Sequence, residues 1–158
     1  MDNLPFGAYV IDKTGKILFF NKEMTRISGV EDAAKIVGQN VLEVPSYKQY
    51  GLLELIKRGL TGTPFRVKGV RYVSHVGKRQ SYRDYYGIPI KNEKGEVGKL
   101  LCIVEDVTRQ KELEAQVIRE LEEKEGMLRE VRERIDGDMR KIDEVLASTK
   151  HYIKKKAE

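Results

Sequence analysis

From Thr108 to the C-terminus the chain has no proline and is dense in Glu, Arg and Lys, and this tract limits what the whole can fold into. Its apolar residues recur at Leu113, Val117, Leu121, Leu128, Val131, Ile135, Met139, Ile142, Leu146 and Ile153, with Thr149 tolerated between the last two. Steps of three, four and seven keep side chains on one stripe of a helix. At a rise of 1.5 Å per residue, about 45 residues would span roughly 65 to 70 Å. Nothing else in 158 residues is large enough to shelter such a stripe, so the spacing predicts pairing with a second copy in a parallel coiled coil. The candidate seam is Val117, Leu121, Leu128, Val131, Ile135, Met139, Ile142, Leu146 and Ile153. The steps from Val131 to Ile142 match an eleven-residue repeat, which relaxes a left-handed supercoil near Asp136, Gly137 and Asp138. A continuous rod is expected there, with a hairpin bent at Gly137 as the alternative.

The remaining two thirds read as one α+β body. Residues 8–12 (AYVID) and 16–21 (KILFFN) flank Lys13, Thr14 and Gly15 as a hairpin. Asn21 stands at a helix N-cap position, with Met24 and Ile27 as the apolar face and Gly29 as the stop. A second short helix is expected over 31–37 and a third over 47–58, each closed by glycine, at Gly38 and Gly59. Three extended segments follow, at 65–76, 80–90 and 97–107, separated by the turns at Gly77 and at Asn92 to Gly95. The run LLCIV (100–104) is apolar on both faces and predicts a central strand covered on each side.

The formal net charge of +5 raises the question of a polyanion partner. From Arg109 onward 13 basic residues face 13 acidic ones, so the whole excess lies in the body. There Lys57, Arg58, Arg66, Lys68, Arg71, Lys78, Arg79 and Arg83 alternate with apolar residues instead of forming a tract, and no nucleic-acid partner is expected. Arg66, Arg71 or Arg83 would bind an anion if turned inward, but period-two alternation does not assign faces without a register. No apolar run reaches the about 18 residues of a membrane span, and the N-terminus lacks the order of a signal peptide. A cytoplasmic location without membrane attachment is the expectation. Cys102 is the only cysteine, which leaves no disulfide or paired metal site, and no nucleophile, base or phosphate loop suggests catalysis.

Two strands, three short helices and three strands, in these particular words, resemble a PAS domain. GAYVIDKTGKILFFNKEMTRISG is similar to that family's opening hairpin and first helix, KIVGQNV to its helix-to-loop segment, and GIPIKNEKGEVGKLLCIVEDVTRQKELE to its closing strands. Asp106, Val107 and Thr108 resemble the "D-[IV]-T" signature at which the last strand hands over to a signalling helix. The resemblance implies a five-stranded antiparallel sheet with short helices on one face, a sensor domain over 1–108 and a signalling and dimerisation helix over 109–158. Asp106 and Thr108 become the candidate relay, able to cap the helix start. A weaker resemblance links EEKEGMLREVRERIDGDM to the dimerisation helix of a histidine-kinase class, with Arg132 and Glu133 where that class has paired histidines. Neither supplies a phosphoryl-accepting imidazole nitrogen, and no nucleotide-binding domain follows within the chain, so no enzyme is expected.

The resemblance also implies a cavity between sheet and helices. In the flavin photosensing branch a cysteine follows "G-x-N", whereas Gly38, Gln39 and Asn40 precede Val41, so covalent flavin photochemistry is not expected. Haem-binding relatives place a histidine in the third helix, and 47–58 has none; His75 reads as a strand residue, His151 as solvated and Cys102 as core. Candidate lining residues are Tyr47, Tyr50, Tyr72, Tyr86 and Asn40, with the alternative that the tyrosines only fill the sheet face and a dimer interface. The expected role is a homodimeric signal-transduction sensor in a two-component setting, with a histidine kinase or response regulator as partner. The alternatives are a non-sensing interaction adaptor and the N-terminal part of a larger histidine kinase.

Overall fold

A computed structural model describes residues 4–156. The chain divides into two compact units after Glu112. In the first, strands β1 (Gly7–Asp12), β2 (Ile17–Phe20), β3 (Phe65–Val73), β4 (Gln80–Lys91) and β5 (Val97–Asp106) form one antiparallel sheet in the order β2-β1-β5-β4-β3. Helices α1 (Lys22–Ser28), α2 (Pro45–Gln49) and α3 (Leu52–Leu60) lie in the connection between β2 and β3. The core sits between them and one sheet face, where Tyr9, Ile11, Ile27, Leu52, Ile56, Leu100, Cys102 and Val104 are almost fully buried.

β5 is central, bonded to β1 and β4, as LLCIV suggests. Coverage of its two faces is unequal. Leu100, Cys102 and Val104 are buried under the helices, whereas Leu101 and Ile103 on the opposite face are only half-buried in the single chain. The expectation of full cover on both sides therefore holds for one face.

Asn21 caps α1 as expected. Its Oδ1 accepts from Met24 N at 2.9 Å and Ala8 N at 2.8 Å, and its Nδ2 donates to the Phe6 carbonyl, so one buried amide joins helix, strand and N-terminal segment. The helix expected over 31–37 contracts to a 3-10 turn at Ala33–Lys35, capped by Asp32. The helix expected over 47–58 is two: α2 ends at Gln49 with Tyr50 as its C-cap, and Gly51, at φ 73°, turns the chain into α3. That left-handed conformation is open to glycine at little cost. Gly59 is no stop, since α3 runs on to Leu60; it sits where an added Cβ would come within 2.8 Å of Leu100. β3 ends at Val73 and not at residue 76 because Ser74 opens a turn, its hydroxyl accepting from Arg79 N and donating to the Ser28 carbonyl.

The second unit is the bulk of helix α4 (Thr108–Lys156), unbroken through Gly137, which is the rod rather than the hairpin. All nine candidate seam residues lie on it, and each is more than half exposed in the single chain.

Candidate functional site

The inner face of β4 is set by period-two alternation, so Ser81, Arg83 and Tyr85 share it with the buried residues of β5, while Asp84 and Tyr86 face away. Register makes this decisive: Tyr85 pairs with Val104 and Gly87 with Cys102. Asp84, adjacent to Arg83 in sequence, spends its carboxylate on the other side, accepting from Gly69 N at 2.7 Å across the β3 bulge.

Arg83 is therefore the inward arginine of the three candidates, and it is 1% exposed. Arg66 and Arg71 are exposed. The Arg83 guanidinium stacks over Tyr72, its Cζ 4.5 Å from the ring centroid. Its Nε donates to Ser81 Oγ at 2.7 Å and its Nη2 to the Ile27 carbonyl at 2.9 Å. No carboxylate pairs with it among the described residues.

Arg83 fronts a cavity of about 60 Å³ walled by apolar side chains that include Ile17, Phe20, Met24, Ile36 and Val41. Its polar edge is Ser28, Ser74, Tyr47, Tyr72 and the exposed His75. Room for one water takes about 10 to 15 Å³ on this measure, so the space suits a ligand of a few heavy atoms and falls far below the roughly 300 to 1,000 Å³ of drug-sized sites.

Tyrosines pack around this space. Tyr47 donates to Tyr9 across 3.0 Å, Ser46 and Tyr72 share a hydrogen bond of 2.7 Å, and the Tyr72 ring meets those of Tyr47, Tyr50 and Tyr85. Burial pushes the hydroxyls of Tyr9, Tyr47, Tyr72 and Tyr85 above the usual tyrosine range. Burial likewise pushes the Cys102 thiol up to about 12, leaving an inert core residue. The Tyr85 hydroxyl is buried without a hydrogen-bond partner, although the Arg83 guanidinium is close enough to oppose part of the effect of burial on it.

Of the candidate lining residues, Tyr47 and Tyr72 reach the cavity. Tyr50 packs on Tyr72 but lines a separate depression with Pro45, Gln49 and Lys78. Tyr86 is on the opposite sheet face, its ring 5.1 Å from the Arg66 Cζ and its hydroxyl 3.3 Å from Glu105. Asn40 is also outside: its Oδ1 accepts from Leu42 N to cap a 3-10 turn, and its Nδ2 donates to the Thr14 carbonyl. His75 is not a strand residue, since it follows the end of β3 at the cavity edge.

A second cluster joins the cavity to the start of α4. The last carbonyls of α1 are taken in turn: Arg26 by Arg79 Nη1 at 2.7 Å, Ile27 by Arg83 and Ser28 by Ser74. Cations and hydroxyls suit the carbonyl-rich end of a helix. Arg79 also reaches Asp106, at 3.4 Å. Asp106 Oδ1 accepts from the amide and hydroxyl of Thr108, and Thr108 Oγ1 accepts from Tyr82 N at 2.9 Å. The expected relay pair is thus in contact, and Arg79, one of the basic residues that alternate with apolar ones in the sequence, ties it to α1.

Among the described residues no helix is long and apolar enough to cross a membrane, and no group of three or more His, Cys, Asp or Glu is placed to hold a metal. No curated protein matches the chain. Among solved structures it is similar to the PAS domain of an HTR-like protein from Haloarcula marismortui, at 19% identity over 66% of this chain and 84% of that one, TM-score 0.51. It is also similar to the PAS domain of Bordetella pertussis BvgS, at 23% identity over 77% and 90%, TM-score 0.54. A sensory box sensor histidine kinase from Vibrio cholerae aligns at 22% identity over 68% and 85%, TM-score 0.50. These likenesses speak to the fold. Residues 1–112 match the family described as PAS fold, and with the sheet order, the helical cover and the Asp106–Thr108 exit all in place, the chain belongs to the PAS family.

Proposed function

We propose that the chain is a cytoplasmic, homodimeric sensory module. The PAS body takes a small ligand between its inner sheet face and short helices, and two α4 helices, zipped in parallel, carry the change onward. The observation that bears most weight is the seam of α4, nine apolar residues on one continuous helix, each more than half exposed in the single chain. Burying a Leu, Ile or Val contributes about 1.5 to 3 kcal/mol, and a helix dimer is the arrangement that collects it along the whole stripe. Transmission needs a ligand that binds one helix arrangement better than another, because equal affinity shifts nothing. The contacts from Arg83 through the α1 carbonyls to Arg79, Asp106 and Thr108 supply a physical path for that difference.

The module works here as a switch and not as a catalyst, with a histidine kinase or response regulator as the partner that reads it. A structure similar to this body comes from a protein described as a sensor histidine kinase, which favours that partner class. Native mass spectrometry tests both halves at once. The expected spectrum is a dimer that retains or takes up a small molecule; a dimer that takes up none leaves an interaction adaptor, and a monomer at all concentrations removes the transmission scheme.

A further inference from the structure

We infer that the ligand taken by the Arg83 cavity is a small carboxylate, its charge on the guanidinium and a short aliphatic remainder against Ile17, Met24, Ile36 and Val41. The inference deepens the sensory reading above and rests on it. It starts from a charge imbalance. A guanidinium withdrawn from water is costly unless paired, and removing a partner from a buried charge is among the larger penalties known in proteins. Here the compensation is partial: a serine hydroxyl, one carbonyl of the seven-residue helix α1 and the face of Tyr72. The two nearest carboxylates in sequence and register are committed elsewhere, Asp84 to Gly69 N and Asp106 to Arg79 and Thr108.

The guanidinium that lines the cavity has an unused donor. Among the described residues the Arg83 hydrogen bonds are those of Nε and Nη2, and Nη1 makes none. A planar carboxylate can accept from Nη1, and charge-assisted bonds of this kind are shorter and stronger than neutral ones. The rest of the cavity decides against a compact polyoxyanion. Phosphate or sulfate would leave oxygens facing Ile17, Met24 and Val41, unpaired in an apolar wall. At about 60 Å³ the room beyond the carboxylate admits a chain of one to a few carbons.

The test titrates the full-length chain by calorimetry and thermal shift with formate, acetate, propionate and butyrate at fixed ionic strength. The corresponding amides, chloride and inorganic phosphate run as controls. The expected result is saturable binding of a short carboxylate at least tenfold tighter than its amide, with the preference removed by Arg83→Gln. Arg83→Lys, which keeps the charge but loses the planar fork of donors, is expected to weaken carboxylate binding severalfold and serves if Arg83→Gln does not fold. Equal binding of acid and amide, or tighter binding of phosphate, overturns the carboxylate assignment while leaving a small-molecule sensor. No binding by any compound overturns the assignment and the ligand half of the sensory reading together, and light scattering then reports separately whether the dimer stands.

Discussion

The body of this chain hides a charge and the helix α4 displays its apolar residues, each the reverse of what water favours. In the body, Arg83 lies under the helices with hydrogen bonds on two nitrogens and no counter-ion among the described residues. Along α4, Val117, Leu128, Ile135 and Ile153 stand in solvent in the single chain, at 55%, 69%, 52% and 63% exposure. The contrast teaches that the two regions are incomplete in different ways. A long stripe of weak, additive contacts calls for a surface of equal length, which the proposed second copy would supply. A single buried cation calls for one small group of opposite charge.

The largest effect is expected from charging the stripe. Ile135→Glu combined with Ile142→Glu places two carboxylates per helix in the seam, opposite their copies, where burial penalises each by several kcal/mol. The dimer dissociation constant should rise at least about a thousandfold, equivalent to about 4 kcal/mol. Light scattering over a concentration series reads the change, and the thermal midpoint of the PAS body should stay where it is. A variant that remains dimeric at low concentration would place the interface elsewhere, the half-covered outer sheet face being next in line.

An effect of intermediate size sharpens the other half of the contrast. Tyr9, Tyr47, Tyr72, Tyr85 and Cys102 all have pKa values raised by burial in the folded body. The unfolded chain releases these protons first, from about pH 9 for the thiol and about pH 10 for the phenols. The stability they contribute is therefore whole below pH 9 and is lost as pH climbs toward 12, each group costing up to about 1.4 kcal/mol per pH unit. The expected outcome is a late, cooperative step in tyrosinate absorbance that coincides with loss of the body's near-ultraviolet dichroism. Smooth titration of all the phenols in a body that stays folded would show that the core admits water.

What could be read in advance, and what could not, follows the same division. Local signals carried the strand hairpin, the Asn21 cap and the unbroken α4, since each depends on residues a few positions apart. The Asp106 and Thr108 contact was legible for that reason too. Gly51 escaped notice because Tyr50, Leu52 and Leu53 continue an apolar pattern across it, and only its φ of 73° divides α2 from α3. Asn40 and Tyr86 were misplaced because nothing local says which side of a loop or strand faces inward. The bulge between Val67 and Val70 resets the alternation of β3, so faces cannot be counted along it from Tyr72. Arg83 could have been found from β4 alone by setting it in phase with Ser81 and Tyr85, but the phase is anchored by pairing with Val104, nineteen positions beyond Tyr85.

The smallest predicted effect addresses the junction between cavity and helix. Asp106 does two things with two oxygens: Oδ1 accepts from Thr108, and Oδ2 meets the half-exposed Arg79 at 3.4 Å. Asp106→Asn can keep the first and removes the second. A long, partly solvated ion pair is worth no more than about 1 kcal/mol, so stability should fall by about 0.5 to 1 kcal/mol, with Asp106→Ala costing about twice that through loss of the Thr108 contacts as well. The more telling measurement is hydrogen exchange at Thr108 and Lys111, whose amides bond to Asp106 and the Val107 carbonyl. If Arg79 couples the end of α1 to the start of α4, Asp106→Asn should speed exchange at both amides severalfold and blunt any protection a cavity ligand confers there. Unchanged exchange, with ligand protection intact, would mean that the ion pair is a surface ornament and that whatever reaches α4 travels through the β4 and β5 backbone, by way of the Tyr82 contacts with Val107 and Thr108.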